Sequence, residues 1–182
     1  MKSEKGLSKT PDGPFRLNYA PRVTKQLWAP WRLEYIESAD EKEGCLFCYA
    51  AAGDDEAALV VHRGEHAFVL LNKFPYASGH LMVAPFRHLA ELSDLSDEEV
   101  LEINRLAGQG MGALAETYSP QGYNLGWNLG RIAGAGVVDH VHLHLVPRWA
   151  GDTNFMPVLA DVKVLPEHLQ DTRRKLAEAW PN

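Results

Sequence analysis

Residues 139–147 of the chain read DHVHLHLVP, in which three histidines alternate with apolar residues. Alternate side chains of a β-strand point to the same face, so a strand over His140–Val146 places His140, His142 and His144 on one side. The apolar residues between them anchor this strand in the core. At roughly 6.6 Å per step the imidazoles span about 13 Å, which suits a polyphosphate better than a single small atom.

Three neighbouring imidazoles favour phosphoryl chemistry. They cannot all be charged together, because each imidazolium disfavours the next. A neutral ring nitrogen can attack phosphorus while a neighbouring donor binds the nonbridging oxygens. Two other interpretations stay open: polar rings on a solvent-facing strand, and three histidines on a catalytic metal ion with Asp139 as the nearest carboxylate.

Length and composition predict one compact domain. The chain has 182 residues, of which 46% are hydrophobic, enough to bury a core. It contains no run of about 20 apolar residues, and Met1–Thr24 lacks an apolar region after its lysines. We therefore expect neither export nor membrane spanning. Residues 1–24 are expected to form a disordered or draped tail, and residues 25–182 a single domain.

The charge and the cysteines limit the partners and the compartment. A net charge of −6 argues against a general nucleic-acid surface, so a phosphate ligand would need a locally positive pocket. Two cysteines in a chain of this size do not make a disulfide framework, which favours a reducing cytoplasm.

The order of the predicted elements favours an α+β fold with an antiparallel sheet. Ser96 and Glu99 form a capping box that begins a long helix over Asp97–Tyr118. A second helix begins near Pro166. The apolar side of the long helix is Val100, Ile103, Ala107, Met111 and Leu114. The expected strands are Leu59–His62, Ala67–Leu71, Leu81–Pro85, Tyr123–Leu129 and His140–Val146.

The triad and its surroundings resemble the histidine-triad (HIT) family. The family signature is His-φ-His-φ-His-φ-φ, with φ apolar, which residues 140–146 match. Residues 71–75 (LNKFP) and 78–85 (SGHLMVAP) resemble its ribose-binding strand and its Gly-His strand. With 126–130 (GWNLG) and 147–149 (PRW), the resemblance covers about Leu27 to Phe155. It implies a sheet of about five strands carrying a long helix and a C-terminal helix.

The resemblance also implies roles for particular residues. His142 attacks the α-phosphorus to form a nucleotidyl-histidine, and His144 binds phosphate oxygens. Asn72 contacts the ribose, while His80 and Asn128 line the phosphate path. Without the motif, Asn72 and Asn128 would be interpreted as turn or edge-strand side chains.

One segment departs from the family pattern. The family usually has Ala-Gly-Gln-Ser/Thr-Val-x-His before the triad, whereas residues 133–140 read AGAGVVDH, with one extra residue and no glutamine. Gly134, Ala135 and Gly136 can instead offer backbone N–H groups to an anion. This loop, with residues 28–32 (WAPWR) and 148–155 (RWAGDTNF), resembles a bacterial branch that includes diadenosine tetraphosphate phosphorylases, so the acceptor is water or phosphate.

Cys45 and Cys48 form a Cys-x-x-Cys motif, which is a zinc half-site, a redox pair or two ordinary thiols. HIT proteins with this motif complete a tetrahedron with two histidines that match His88 and His140. The resemblance therefore implies a structural zinc ion, because four protein ligands leave no position for water.

Three functions remain candidates at this stage. The first is an enzyme that cleaves dinucleoside polyphosphates or other adenine nucleotides. The second is a zinc-stabilised nucleotide-binding regulatory module or a nucleoside phosphoramidate hydrolase, and the third is a metalloenzyme that uses the three histidines on a catalytic ion. The resemblance further implies a homodimer with two half-sheets side by side, for which Trp28, Trp31 or the glycine-marked helix would supply contacts.

Overall fold

A computed structural model describes residues 44–152 and 167–181 of the chain. The strands are β1 (Val60–Arg63), β2 (Ala67–Leu71), β3 (Leu81–Pro85), β4 (Gly122–Trp127) and β5 (Leu143–Arg148). The helices are α1 (Leu46–Ala52), α2 (Asp97–Tyr118) and α3 (Leu169–Glu178), with short 3-10 helices at Leu92–Asp94 and Arg131–Ala133. All the strand pairs are antiparallel, in the order β1-β2-β3-β5-β4, which confirms the predicted α+β class.

Each face of the sheet is covered by helices. Val69 and Leu71 of β2 belong to the larger apolar cluster, which contains the buried sides of α2 and α3. Phe68 and Leu70 alternate with them and belong to a smaller cluster with Phe47 of α1. The central strands are therefore buried on both faces, which explains why they read as nearly continuous apolar runs.

The capping box of α2 is confirmed. The Ser96 hydroxyl accepts from the Glu99 amide at 3.3 Å, and the Glu99 carboxylate accepts from the Ser96 amide at 2.8 Å. Val100, however, was expected on the apolar face and is 43% exposed. The inner side of this first turn is occupied by Glu99 and Glu102, whose carboxylates bind the Arg87 guanidinium and the amides of the β1–β2 turn. Val100 consequently points away from the sheet.

The predicted strand His140–Val146 is wrong at its start, because β5 begins only at Leu143. The Val141 amide donates to the Leu89 carbonyl at 2.7 Å, so the chain there pairs with a loop. Pro85 at the end of β3 has no amide hydrogen to donate. Its carbonyl accepts from the His140 ring at 3.0 Å instead.

Other boundaries differ by smaller amounts. β1 begins after Leu59, whose φ of 58° lies in the left-handed region, and β4 ends at Trp127, short of the predicted Leu129. α3 begins at Leu169. Pro166, near which this helix was expected to begin, lies outside the described residues, as do residues 153–165 and residues 1–43 with Trp28 and Trp31. The domain limits therefore stay a prediction. No helix in the described ranges is both long and apolar enough to cross a membrane.

The glycines of α2 differ in their surroundings. A Cβ atom built on Gly110 would lie 3.2 Å from the methyl carbons of Leu145 and Leu81, so the helix approaches the sheet closely there. Gly108 and Gly112 face open space, where a Cβ atom would meet nothing within 4 Å. Close packing therefore explains Gly110 but not the other two.

Substitutions at these glycines should have opposite effects on stability. Gly108→Ala should raise the free energy of unfolding by about 0.5–1 kcal/mol, because alanine has the higher helix propensity. Gly110→Val should lower it by about 1–3 kcal/mol, because the added methyl groups overpack the helix against the sheet. Urea denaturation of both variants beside the unaltered chain tests this, and destabilisation by Gly108→Ala would contradict the packing described here.

Candidate active site

The three histidines of the triad lie on the α1 side of the sheet. His144 alternates along β5 with Leu143 and Leu145, which belong to the cluster on the opposite face. His142 lies just before the strand, with its ring centroid 4.8 Å from that of His144. The rings of His140 and His142 both contact Phe47 of α1. The three side chains thus share one face although only His144 belongs to a strand.

The hydrogen bond of His142 fixes which ring nitrogen is free. Its Nδ1 lies 2.9 Å from the carbonyl oxygen of His140. A carbonyl only accepts, so Nδ1 carries the hydrogen and the lone pair of the neutral ring lies on Nε2. His142 is 5% exposed, and this burial lowers its pKa below the ordinary value of 6.5. The ring is therefore neutral near pH 7 and has a nucleophilic nitrogen.

A chain of hydrogen bonds places the hydrogen of His144 on Nε2, whereas His142 carries its hydrogen on Nδ1. The backbone N–H of Tyr76 donates to Nδ1 of His80 at 3.0 Å, so the neutral His80 ring carries its hydrogen on Nε2. That Nε2 lies 3.0 Å from Nδ1 of His144, which accepts from it. The hydrogen of a neutral His144 is consequently on Nε2. One backbone amide thus directs the hydrogen of a neutral His144 toward the Asn128 side chain, which can accept it only with its amide oxygen facing Nε2.

Asn128 and Tyr76 complete this end of the triad. The Asn128 side-chain amide lies 3.2 Å from Nε2 of His144 and 3.4 Å from the Tyr76 hydroxyl. The Tyr76 ring stacks on His80 with centroids 4.7 Å apart. His80, His144 and Asn128 were predicted as neighbours, and the structure brings them together.

A cavity of about 820 Å³ lies between α1, the turn after β2 and the loop that precedes the triad, although the triad histidines are not among its lining residues. One wall comes from Leu46 and Tyr49 of α1, and another from Asn72 and the two residues after it. Met82 also lines the cavity and is paired with His144 across β3 and β5. Ligand sites commonly have volumes of about 300–1,000 Å³, so a nucleotide fits.

Asn72 has a local role as well as a place in the cavity wall. Its side-chain oxygen accepts from the Phe74 amide at 2.8 Å, which closes the turn after β2. Its amide nitrogen lies 3.5 Å from Nδ1 of His80. The turn interpretation and the cavity interpretation of this residue are thus compatible.

The glycine loop does not form the expected cradle of three amides. The Gly134 amide donates to the Arg131 carbonyl at 2.9 Å, and the Ala135 amide donates to the Gly130 carbonyl at 3.2 Å. Their N–H groups are used within the loop, because Gly130 and Gly134 have φ values of 81° and 88° that curl it. Gly136 does line the cavity. The nest prediction is therefore wrong for Gly134 and Ala135.

Cys45, Cys48, His88 and His140 form a second cluster beside the triad, with ligand atoms all within 4.8 Å of one another. Cys45 Sγ and Cys48 Sγ lie 3.3 and 3.8 Å from His140 Nδ1, and Cys48 Sγ lies 3.3 Å from His88 Nδ1. Zinc–ligand bonds of about 2.0–2.3 Å place neighbouring donors of a tetrahedron about 3.5 Å apart. The four donors therefore fit a tetrahedral metal ion.

The hydrogen bonds around this cluster prepare both histidines as ligands. Nε2 of His140 donates to the Pro85 carbonyl at 3.0 Å, and Nε2 of His88 lies 3.7 Å from the Asp139 carboxylate. Each ring thus presents Nδ1 to the cluster, as the outer contacts of metal-bound histidines usually require. Burial raises the pKa of the Cys45 thiol to about 11. Forming the thiolate therefore costs free energy, which a bound cation would offset. His142 and His144 are outside the cluster, which does not favour one ion held by all three triad histidines.

Comparison with known proteins agrees with this geometry. The HIT domain matches residues 54–151. The chain belongs to the HIT family. The AP-4-A phosphorylase of Mycobacterium tuberculosis is 39% identical to it over 86% of this chain and 84% of the relative. The adenosine 5'-monophosphoramidase of Schizosaccharomyces pombe is 33% identical over 57% of this chain and 74% of that protein.

Among solved structures, a zinc-bound histidine triad family protein from Mycobacterium smegmatis is similar to this HIT protein. It has a TM-score of 0.60 and 26% identity, covering 75% of this chain and 92% of that one. The predicted family and fold are both confirmed.

Sequence reasoning missed several residues of this HIT protein's site. Phe47 contacts two triad rings, and the Tyr76 amide sets the hydrogen position in His80. Lys73 and Arg131 line the cavity and supply positive charge in an acidic chain. The position of Phe47 between the two cysteines was the available signal, but it reads as an ordinary apolar residue.

The pKa of the His142 ring should be lowered by its burial. Because its pKa is lowered, the neutral ring should persist as the pH falls through 6.5 and become protonated only below that value. The unfolded chain binds this proton near 6.5, so the stability contributed by neutral His142 is complete above 6.5 and is lost in acid. NMR of imidazole-labelled protein, assigned with His142→Asn, measures the midpoint, and a midpoint at or above 6.5 would contradict the assignment.

Proposed function

We propose that this HIT protein cleaves a phosphoanhydride bond of dinucleoside polyphosphates, such as diadenosine tetraphosphate, through a covalent nucleotidyl-histidine on His142. Family membership and the M. tuberculosis relative support a nucleotide hydrolase or phosphorylase activity. The observation that carries the covalent step is the hydrogen bond from His142 Nδ1 to the His140 carbonyl, which leaves the Nε2 lone pair available.

In the first half-reaction the Nε2 lone pair of His142 attacks the α-phosphorus. A P–N bond forms, the bond from phosphorus to the bridging oxygen breaks, and the leaving nucleotide takes that electron pair. The ring becomes cationic in the adduct because Nδ1 keeps its hydrogen. The His140 carbonyl, 2.9 Å from Nδ1, stabilises this charge.

Donors next to His142 would stabilise the phosphoryl group during this step. Nε2 of His144 carries a hydrogen because the Tyr76 amide and the His80 ring fix its tautomer. It would donate to a nonbridging oxygen in place of the Asn128 side chain, which lies 3.2 Å from the same atom. Such preorganised donors favour the transition state because they need not reorient as charge develops.

The adjoining cavity would hold the nucleoside and the rest of the phosphate chain. Asn72 would contact the ribose, while Leu46, Tyr49 and Phe74, which also line the cavity, would supply apolar surface for a base. Lys73 and Arg131 on the lining would attract the negatively charged phosphate chain. Such local positive charge is needed because the whole chain has a net charge of −6. Gly136 also lines the cavity, where its backbone N–H would be available to an anion.

In the second half-reaction an acceptor oxygen attacks the adduct, the P–N bond breaks, its electron pair returns to Nε2, and the proton of the acceptor is lost to solvent. Water gives hydrolysis and orthophosphate gives phosphorolysis. The name of the M. tuberculosis relative supports phosphate as the acceptor. Both outcomes share the first half-reaction.

Product analysis with diadenosine tetraphosphate tests the proposal. Reactions with and without orthophosphate are followed by chromatography, and samples quenched in denaturant at alkaline pH, where a P–N bond survives, by mass spectrometry. We expect a nucleotidylated chain, and products that distinguish phosphorolysis from hydrolysis. His142→Asn should abolish the adduct and lower turnover by at least about 1,000-fold, because the nucleophile is lost. His66→Asn, a surface change, is the control, and an unaltered chain that forms neither adduct nor products would contradict the proposal.

A phosphoramidate hydrolase is the second candidate. The S. pombe relative is named an adenosine 5'-monophosphoramidase, and the same attack by His142 could break a P–N bond to an amine. Adenosine 5'-phosphoramidate belongs in the same substrate panel. Tight nucleotide binding with no turnover of any substrate would instead favour the zinc-stabilised regulatory module.

We further propose that the Cys45, Cys48, His88 and His140 cluster binds a structural zinc ion. The tetrahedral donor spacing supports this, and the M. smegmatis structure is of a zinc-bound relative. Bound zinc would connect α1 to His140, which lies two positions before His142 in the chain. With four protein ligands it would leave no open position for a substrate.

Metal analysis separates a structural zinc from a catalytic ion. The Cys45→Ser variant should lose most of its bound zinc, because the tetrahedron loses a thiolate. Its midpoint of thermal unfolding should also be lower than that of the unaltered chain. His142→Asn should keep the zinc content of the unaltered chain. Emission spectroscopy on the purified proteins measures this, and loss of zinc in His142→Asn alone would contradict the structural assignment.

A homodimer and a cytoplasmic location remain proposals. β4 is an edge strand in the described part of the sheet, with Leu125 48% exposed. An exposed apolar edge of this kind supports side-by-side pairing of two sheets.

A further inference from the structure

Phe47 has a contact that core packing alone does not require. Its ring centroid lies 4.6 Å from that of His142, with the planes 35° apart, and 5.1 Å from that of His140. The side chain is 1% exposed. Phe47 thus covers one side of the His142 imidazole, while the His144 ring lies against it at 74°.

Contacts at both ends of α1 hold Phe47 in this place. At the start of the helix, Cys45 Sγ lies 3.3 Å from His140 Nδ1. At its end, the Arg63 guanidinium donates to the carbonyls of Ala50 and Ala51 at 2.9 and 2.7 Å. A ring fixed on a helix that is itself fixed makes a rigid surface for its neighbour.

His142 needs such a surface because one hydrogen bond does not define the orientation of a ring. The bond from Nδ1 to the His140 carbonyl restrains one edge. Rotation about the side-chain bonds would still move Nε2, and a misplacement of about 1 Å can lower a rate by about 100-fold. The flat face of Phe47 removes this freedom.

We infer that Phe47 is a positioning residue that holds the imidazole of His142 in the orientation needed for attack on phosphorus. This inference rests on the proposed function. Phe47 contacts the His142 ring and does not line the cavity, so we expect it to act on the chemical step and not on nucleotide binding. The competing interpretation is that Phe47 only fills the smaller apolar cluster.

The same cluster offers a matched control. Phe68 is 0% exposed, belongs to the same cluster and stacks on Phe86 at 5.2 Å. Phe68→Leu and Phe47→Leu therefore remove equivalent rings from one cluster, but only the second removes the ring beside His142. Phe47→Met, which replaces the ring with a flexible chain of similar volume, is the second test variant.

Pre-steady-state kinetics with diadenosine tetraphosphate measure the effect. For Phe47→Leu and Phe47→Met we expect kcat and the rate of adduct formation to fall by about 10- to 100-fold. KM should change by less than about threefold, and zinc content should equal that of the unaltered chain. Phe68→Leu should keep kcat within about threefold. Equal losses in Phe47→Leu and Phe68→Leu, or a change confined to KM, would overturn the inference.

NMR provides a readout that does not depend on turnover. The Nδ1–H of His142 should exchange with solvent at least about tenfold faster in Phe47→Leu and Phe47→Met than in the unaltered chain, because the ring leaves its hydrogen bond more often. Phe68→Leu should leave this exchange unchanged. If the unaltered chain forms no adduct, the proposed function fails, yet this exchange still decides whether Phe47 orients His142. Unchanged exchange in both Phe47 variants would overturn the inference.

Discussion

The hydrogen bond between Nδ1 of His142 and the carbonyl of His140 is the constraint on which the chemistry of this site depends. It decides which nitrogen carries the hydrogen and therefore where the lone pair lies. Burial keeps the ring neutral, so the lone pair is present near pH 7. The same carbonyl would stabilise the cationic ring of a covalent adduct. One backbone oxygen thus serves both the free and the modified side chain.

The three triad histidines differ in what their surroundings prepare them to do. His140 turns Nδ1 toward the two thiols because Pro85 accepts from its other nitrogen. His144 carries its hydrogen on Nε2 because a backbone amide fixes the tautomer of His80. His142, between them, presents a lone pair. In the proposed mechanism, identical side chains at alternate positions would therefore take the roles of ligand, nucleophile and donor through the hydrogen bond that each one makes.

Much of this arrangement follows from local sequence patterns. The capping box at Ser96, the continuous apolar runs of β2 and β3 and the alternation that begins β5 determine the helix and the sheet, and the Cys-x-x-Cys spacing indicates the Cys/His cluster. What could not be predicted depends on tertiary contacts. β5 begins later than the alternation implies because Pro85 has no amide to donate, and Val100 is exposed because buried glutamates occupy the first turn of α2.

The glycine loop and Phe47 are two further features that could not be predicted from local sequence patterns. Glycines permit an anion cradle, but they also permit the tight curl in which Gly134 and Ala135 donate to their own loop. Nothing in the sequence separates these outcomes. Likewise, an apolar residue between two cysteines could pack anywhere, and only the position of α1 brings the Phe47 ring onto His142.

The most direct test of the account is the identity of the nitrogen that becomes bonded to phosphorus. Trapped nucleotidylated protein, prepared with ¹⁵N-labelled histidine, can be examined for coupling between ³¹P and the imidazole nitrogens. The account predicts coupling to Nε2 of His142, with Nδ1 still carrying its hydrogen. Phosphorus bonded to Nδ1, or to a different side chain, would contradict it.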